Sequence, residues 1–203
     1  MRQTKDHLLR AMLWGSAFVS VAVLLTIVGY LFYKGFSYIS FDFIFGDYSP
    51  VGGGGIFPMI VTTIYTIVIS LVIATPLGIL AAVYLQEYAK QGRLVNMIRF
   101  ATESLTGIPS IIYGLFGAVF FVAILKLGMS IIAASLTLTI IVLPVIIRTT
   151  EEALKTVPAS YREGSLALGT TKLQTLYKVI LPSAMPGILS GIILSIGRIV
   201  GES

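Results

Sequence analysis

Hydrophobic and polar positions along the chain fall into long blocks. Five apolar segments occupy roughly residues 11–33, 57–85, 108–127, 129–147 and 184–203. Each is close to the ~20 residues that an α-helix needs to cross the hydrocarbon core of a bilayer. The second segment is long enough to tilt or to project beyond the bilayer. The pattern therefore predicts an all-α, polytopic membrane protein with about five transmembrane helices.

Composition supports this class and excludes several others. Hydrophobic residues make up 56% of the 203 positions and charged residues only 11%, and the mean hydropathy is +0.95. A soluble fold of this length cannot bury so much apolar surface. The chain has no cysteine and one histidine, His7, which excludes disulfides and thiolate metal sites. We predict neither a metal nor a cofactor.

The basic residues are distributed unequally between alternate loops. Eleven lie on one side of the predicted spans and two on the other. The first group comprises Arg2, Lys5, Arg10, Lys90, Arg93, Arg99, Arg148, Lys155, Arg162, Lys172 and Lys178, and the second comprises Lys34 and Lys126. The positive-inside rule then places the N-terminus and the loop 148–182 in the cytoplasm. Because these charges are dispersed, they do not indicate nucleic-acid binding.

The N-terminal part of the chain predicts an uncleaved start helix. Its apolar run is too long for a signal peptide, and no small-residue cleavage site closely follows it. The segment from Lys34 to Ile56 is rich in aromatic residues and then in glycine, which is typical of a stretch at the outer membrane interface. The glycines Gly52 to Gly55 are not followed by Lys-Ser/Thr, so they do not form a phosphate-binding P-loop. The chain is therefore not predicted to be an ATP-hydrolysing enzyme.

The loop 148–182 contains a dense pattern of small residues, glycine and proline. We expect two short helices, the first beginning near Pro158 and running to Leu168, with Gly169 as its C-terminal cap. Pro182 is expected to end the second helix. Small side chains on the first helix would let its backbone seat closely in a groove. The residues of interest are Glu163, Gly164, Ser165, Ala167, Gly169, Leu181 and Pro182.

This pattern resembles the EAA loop of bacterial ABC importer permeases, with Gly164-Ser165 where the family more often has two alanines. The resemblance implies a helical bundle like that of type I importer permeases, in which the loop docks onto two cytoplasmic ATPase subunits. We expect Glu163 to hold the helix pair together, through the loop's own backbone or a basic partner, and to contact the ATPase only secondarily.

A second resemblance concerns the permeases of the phosphate-specific transport system. It rests on residues 105–116, on Arg148 to Glu151 and on the closing segment 197–203, and with the loop it extends over residues 53–203. The glycine run before the second span favours the PstA type over the PstC type. The resemblance implies one permease domain, 1–203, in a bacterial inner membrane. Its implied partners are a PstC-type permease subunit, an extracytoplasmic phosphate-binding protein and phosphate. Family members ordinarily have six membrane helices, so a sixth is expected to be missing here.

Two charges inside the last apolar segment are the candidate anion pathway. Arg198 and Glu202 share a helix face at i and i+4, and charged side chains at this depth normally face a water-filled path or each other. A guanidinium can engage phosphate through two parallel hydrogen bonds. The hypothesis is that Glu202 holds Arg198 in one state and releases it in another; the alternative is a pair that serves stability alone. Arg148 is a further candidate, although orientation also requires a charge there.

Three other functions remain open at this level. The substrate could be sulfate or molybdate instead of phosphate. A passive ion channel would also bury charges and kink helices, but it would not need an EAA-like loop. A membrane signalling or assembly subunit would use the loop to bind a partner without moving solute.

Overall fold

The computed structural model describes residues 2–49 and 54–202, and within these ranges the regular structure is helical throughout. Four helices are long and apolar enough to cross a membrane, and a fifth crossing is formed if one sharply bent helix pair counts as a span. The prediction of an all-α polytopic membrane protein is therefore confirmed. The α-helices are α1 Arg2–Gly35, α2 Phe41–Phe45, α3 Phe57–Val83, α4 Arg93–Thr106, α5 Ser110–Gly117, α6 Ile131–Thr156, α7 Ala159–Ala167, α8 Lys172–Thr175 and α9 Leu181–Glu202.

The chain divides into two compact units between Ile60 and Val61. In the first unit α1 is 34 residues long, and a short 3-10 turn, Phe36–Tyr38, leads to α2. The hydroxyl of Ser40 caps α2 by accepting a hydrogen bond from the Phe43 amide at 3.1 Å. The predicted glycine-rich turn lies partly outside the described residues, because Pro50 to Gly53 are not among them.

Gly55 shows why this turn needs glycine. A Cβ on Gly55 would lie 2.2 Å from the carbonyl oxygen of Gly46, and the Gly55 amide donates to the Asp47 carbonyl at 2.8 Å. The close approach of two backbone segments accounts for this glycine structurally, as expected in the absence of a P-loop signature.

The second unit is built around α6, which packs along α9. Gly187 faces Ala153 and Gly191 faces Thr149, so the two helices run antiparallel. A Cβ on Gly191 would lie 2.1 Å from the Thr149 hydroxyl. Small residues at helix contacts let backbones approach closely, which is the usual means of packing helices in lipid.

Hydroxyl groups and two apolar clusters complete the packing of this unit. Ser70 on α3, fully buried, donates to the Ser135 carbonyl of α6 at 2.9 Å, which satisfies a polar group that has no water to bind. One cluster joins the ends of α3 and α6 to the residues just before α9 and to the start of α9: Val83, Ala153, Leu154, Val157, Leu176, Ile180, Ala184 and Ile188. The other joins α3, α5, α6 and α9: Ala74, Tyr113, Leu138, Ile141, Val142, Ile146 and Ile199.

The third predicted span needs correction. Helical structure in this segment runs only from Ser110 to Ile124, and it is bent by 95° from α4, an amphipathic helix that the apolar blocks did not predict. The break falls at Gly107 and Pro109, where Gly107 ends α4 and Pro109 precedes α5. Proline at this position favours an extended conformation in the preceding residue, so a single straight helix is interrupted.

The prediction that residues 148–182 form a loop with a helix ending at Pro182 is also wrong in part. The helix α6 continues to Thr156, so Arg148 lies within it. A π-helical turn, Leu176–Ile180, runs directly into α9, and Pro182 is the second residue of that helix. Proline lacks the amide hydrogen that a regular helix would use at this position. A local π-helical adjustment such as the turn immediately before it allows a helix to continue through proline.

Candidate functional site

The segment between α6 and α9 forms a helix–turn–helix. Leu168 caps α7, and Gly169 follows with φ +81°. Its amide donates to the Leu166 carbonyl at 2.9 Å. A left-handed backbone just past a helix end favours glycine, because a Cβ is strained there. The predicted capping role of Gly169 is confirmed, and the sharp turn that it permits brings α8 back beside α7.

Three hydroxyl oxygens form a ring inside the turn, the hydroxyl ring, in which each lies within hydrogen-bonding distance of the other two. Thr170 gives its one proton to a carbonyl, so Ser165 and Thr175 supply the protons within the ring. The Ser165 hydroxyl lies 2.8 Å from that of Thr170 and 3.0 Å from that of Thr175. The Thr170 and Thr175 hydroxyls are 2.8 Å apart, and Thr170 also donates to the Ser165 carbonyl at 2.8 Å. Ser165 and Thr175 are buried. The serine that replaces the family's more frequent alanine is thus an internal brace of the loop.

The loop is joined to the end of α3 by charge. The guanidinium of Arg162 donates to a carboxylate oxygen of Glu87, with Nη2 at 2.7 Å and Nε at 3.2 Å. It also donates to the Leu154 and Val157 carbonyls, each at 3.0 Å. Those carbonyls lie at the C-terminal end of α6, where no following helical turn supplies amide donors to them. One side chain therefore links α3, α6 and α7.

Lys172 provides a second contact with the same turn of chain. Its ammonium donates to the Glu87 backbone carbonyl and lies 4.7 Å from the centre of the Tyr88 ring, within the range of a cation–π interaction. Both Glu87 and Tyr88 belong to the π-helical turn Tyr84–Tyr88 that ends α3.

A neighbouring network ties this turn to α4 and α6. Arg99 donates to the Glu151 carboxylate at 2.9 Å, to the Gln91 side chain at 2.9 Å and to the Gln86 side chain at 3.3 Å. The Glu151 side chain is only 8% exposed, so a buried carboxylate has the ionic partner that burial requires.

Glu163 does not hold the helix pair together in this structure. It is exposed, and no hydrogen bond or ion pair of its side chain is formed with residues 2–49 or 54–202. The hydroxyl ring performs that role instead, because it joins Ser165 on α7 to Thr175 on α8. The Arg162–Glu87 pair holds α7 to the end of α3. Gly164 and Ala167 are likewise exposed on α7, while Leu181 is partly buried against the apolar cluster and Pro182 is exposed.

The structure separates the three candidate anion-pathway residues. Arg198 is half-buried on α9. Glu202 is exposed, and within the described part of the chain it forms no ion pair with Arg198. The predicted pairing is therefore absent from this conformation. From the α6–α9 register, Arg148 is displaced from Arg198 by about 9 Å along the helix axis, at 1.5 Å per residue.

Arg148 lines a different site, a cleft of about 160 Å³ between α4 and α6. It is paired with Glu103 at 2.9 Å and with Glu152 at 3.2 Å. The cleft residues carry three positive and three negative charges: Arg99, Thr102, Glu103, Arg148, Glu151, Glu152 and Lys155. This balance makes the cleft a weak site for anions, since Arg99 and Arg148 are already paired with carboxylates.

Sequence reasoning missed Glu87 and Glu151 as structural partners of the loop and of α4. Glu87 is separated from Arg162 by 75 residues and Glu151 from Arg99 by 52. The available signal was one acidic residue just beyond the end of each of two long apolar segments. A charge in such a position is costly unless it has a partner.

The fold and this loop define a polytopic helical membrane protein with a braced helix–turn–helix between two spans. Residues 74–203 match the family described as "Binding-protein-dependent transport system inner membrane component". The chain is 37% identical over 203 residues to the probable ABC transporter permease protein YqgI of Bacillus subtilis (strain 168), covering 100% of this chain and 69% of that protein.

Two further comparisons agree. The chain is 42% identical over 150 residues to the phosphate transport system permease protein PstA 1 of Mycobacterium tuberculosis (strain CDC 1551 / Oshkosh), covering 74% of this chain and 49% of that protein. It therefore spans about half the length of that relative. A solved chain of the MetNI methionine ABC transporter, in an inward-facing conformation, superposes with a TM-score of 0.60 at 28% identity, covering 73% of this chain and 69% of that one.

The chain belongs to the family of binding-protein-dependent transport system inner membrane components, the membrane permeases of ABC importers. In this family ATP is hydrolysed by separate ATPase subunits. The chain is accordingly a permease and not an enzyme, as the sequence predicts.

Proposed function

We propose that this chain is the PstA-type permease subunit of an ABC importer for inorganic phosphate. The substrate assignment is supported by the phosphate transport permease at 42% identity and by the three segments that resemble phosphate-specific permeases. Because that relative is about twice as long as the aligned region, the activity of the whole importer is part of the proposal.

The observation that carries the coupling function is the surface of α7. Gly164 and Ala167 lie on its exposed side, and nothing stands within 4 Å of the position that a Cβ on Gly164 would occupy. Exposed apolar side chains border this surface of small residues: Tyr161 is 52% exposed and Leu168 is 86% exposed. A shallow helix face with an apolar rim fits a groove on an ATPase subunit, because the backbone can approach closely and the rim loses water on docking.

The proposed orientation places the N-terminus and α7 in the cytoplasm of a bacterium, with the chain in the inner membrane. It is supported by the excess of basic residues in the corresponding loops. The partners are then two cytoplasmic ATPase subunits, a PstC-type permease that completes the pathway and an extracytoplasmic phosphate-binding protein.

Arg198 is the favoured residue for contact with the anion. It is half-buried in α9 and has no carboxylate partner among the described residues, so its charge is available. Phosphate bears about −1.5 to −2 charge at neutral pH and can accept two parallel hydrogen bonds from a guanidinium. Glu202, one turn further along α9, would tune this affinity by pairing with Arg198 in another state. Arg148 is less favoured, because two carboxylates already neutralise it.

In this mechanism ATP binding closes the two ATPase subunits and moves α7, which rocks the spans from an inward-facing to an outward-facing arrangement. The binding protein then delivers phosphate to the open pathway, and ATP hydrolysis resets the transporter. This cycle follows from the family resemblance.

The test is ATP-dependent uptake of labelled phosphate, sulfate and molybdate in cells that lack the subunit and are complemented with it. We expect phosphate uptake to return, to be lost with Arg198→Ala and to fall with Gly169→Ala at equal membrane levels. Arg198→Lys should restore uptake only in part. Lys34→Gln, which removes a positive charge outside the proposed pathway, is the control. Restored uptake of sulfate or molybdate alone would assign the importer to that anion instead of phosphate.

Other outcomes would replace the proposal. Flux that persists without the ATPase subunits would identify a passive channel. ATPase binding without any effect on uptake would identify a signalling or assembly subunit.

A further inference from the structure

The charged contacts between the coupling loop, residues 158–180 between α6 and α9, and the end of the second span converge on one residue, Glu87. Arg162 contacts the Glu87 carboxylate from α7, and Lys172 contacts the Glu87 backbone carbonyl at the start of α8. The Glu87 side chain is 10% exposed and that of Arg162 is 25% exposed. An ion pair so largely removed from water is only weakly screened by salt, and losing one partner would leave the other charge buried.

The π-helical turn at the end of α3 contacts both networks. Gln86 and Glu87 are consecutive residues that point to different sides of the helix, and both are partly buried and hydrogen-bonded. Gln86 contacts Arg99, which is bonded to Glu151 on α6. The π-helical turn Tyr84–Tyr88 therefore joins the loop on one side to α4 and α6 on the other.

Apolar packing reinforces the same junction. Val83, at the end of α3, lies in one buried cluster with Val157 from the end of α6 and with Leu176 and Ile180 from the second half of the loop. Buried side chains at close-packed density leave little room for one of these segments to slide over another.

We infer that Glu87 is a positioning residue that locks the coupling loop to the end of the second span, so that the two move as one body when the ATPase subunits close. This inference rests on the proposed function, because it assumes that the loop is driven by an ATPase. It assigns Glu87 no contact with ATP, with the ATPase or with the transported anion.

The direct test measures movement and is independent of the substrate. The chain has no cysteine, so spin labels can be placed at two introduced cysteines, Tyr84→Cys in the π-helical turn after α3 and Leu173→Cys on α8. Both positions are exposed, and neither belongs to the proposed docking face of α7. Distances between the labels are measured in the assembled complex with and without ATP. In the complex that keeps Glu87, we expect the same label-to-label distance with and without ATP. With Glu87→Gln, we expect the distance distribution to broaden or shift when ATP is added.

The second test measures coupling. The ratio of ATP hydrolysed to solute transported should rise about 5-fold or more with Glu87→Gln, a typical size for one coupling contact. Glu87→Asp, which keeps the carboxylate, should bring the ratio back toward that of the original complex. Asp42→Asn, which neutralises an exposed carboxylate in the first unit, is the control.

The outcomes separate this inference from the proposed function. A label distance that changes by about one helical turn, 5.4 Å, on ATP binding to the unmodified pair would overturn the inference. An unaltered distance distribution and coupling ratio in Glu87→Gln would do the same, as would a coupling ratio in Glu87→Asp as high as that of Glu87→Gln. If the complex carries no phosphate but the labels behave as expected, the substrate assignment fails and the lock stands.

Discussion

The turn between α7 and α8 depends on the absence of a side chain at Gly169, and replacing this residue isolates a backbone effect. Its φ of +81° lies in the left-handed region, and nothing is found within 4 Å of the position that a Cβ would occupy. Gly169→Ala therefore introduces no clash with the rest of the protein. The cost arises only from the strain between the new Cβ and its own backbone.

The magnitude of that strain is about 1–2 kcal/mol for an L residue in the left-handed region. Asparagine visits this region more readily than alanine, because its short polar side chain can hydrogen-bond locally. We expect Gly169→Asn to cost less than Gly169→Ala. A change of 1–2 kcal/mol lowers the ratio of ordered to open turn by roughly 5- to 30-fold.

Hydrogen–deuterium exchange of the purified protein in detergent measures this ratio. The informative amides are those of Leu168, which donates to the Gly164 and Ser165 carbonyls, and of Gly169, which donates to the Leu166 carbonyl. Their exchange should accelerate by the same factor in Gly169→Ala, and less in Gly169→Asn, while amides in the middle of α6 keep their protection. ATP-dependent uptake should fall in the same order.

Two results would refute the reasoning. Unchanged exchange in Gly169→Ala would mean that the turn does not require the left-handed backbone. Faster exchange in Gly169→Asn than in Gly169→Ala would mean that side-chain bulk, and not backbone strain, limits this position.

Three other substitutions test the packing and polar contacts of the second unit. Gly191→Ala should destabilise the α6–α9 contact by about 1–3 kcal/mol through overpacking. Gly197→Ala should not, because nothing lies within 4 Å of its Cβ position. Equal melting temperatures of the two variants in detergent would contradict this prediction. Glu151→Gln, at a side chain that is 8% exposed, should lower the free energy of unfolding by about 1–3 kcal/mol. Glu152→Gln, at a side chain that is 61% exposed, should lower it by less than about 1 kcal/mol. Thermal unfolding compares the two variants, and a larger loss of stability at the exposed site would count against burial as the cause. Ser165→Ala should weaken the hydroxyl ring by about 1 kcal/mol and accelerate amide exchange in the turn; slower exchange would show that the ring strains the loop.

The helical membrane class and the glycine cap were predictable from local information. Long apolar blocks identify spans because every backbone group in lipid needs an internal partner, which a helix supplies within one segment. Gly169 was identifiable because a glycine after a short helical pattern is the usual left-handed cap. Neither inference needs knowledge of how distant parts of the chain meet.

The helix ends were less predictable, as Pro109 and Pro182 illustrate. Both are prolines beside apolar segments, yet one precedes a helix after a 95° bend and the other lies inside the start of α9. Proline removes one hydrogen-bond donor in either case, and its surroundings determine whether the helix ends or a neighbouring turn adjusts. The extension of α6 to Thr156 was similarly concealed, because its last turns carry charged residues that look like a loop.

The residues bracing the loop could not have been assigned from the sequence. Glu163 is the acidic residue that the motif emphasises, but it is exposed, while Glu87, 75 residues from Arg162, forms the ion pair. Local sequence carries the apolar periodicity, the turn residues and the distribution of charge, since these act through neighbouring atoms and the surrounding solvent. The choice of ionic partner depends on which carboxylate is brought within about 3 Å of a guanidinium, and that proximity exists only after α3, α6 and the loop have packed together.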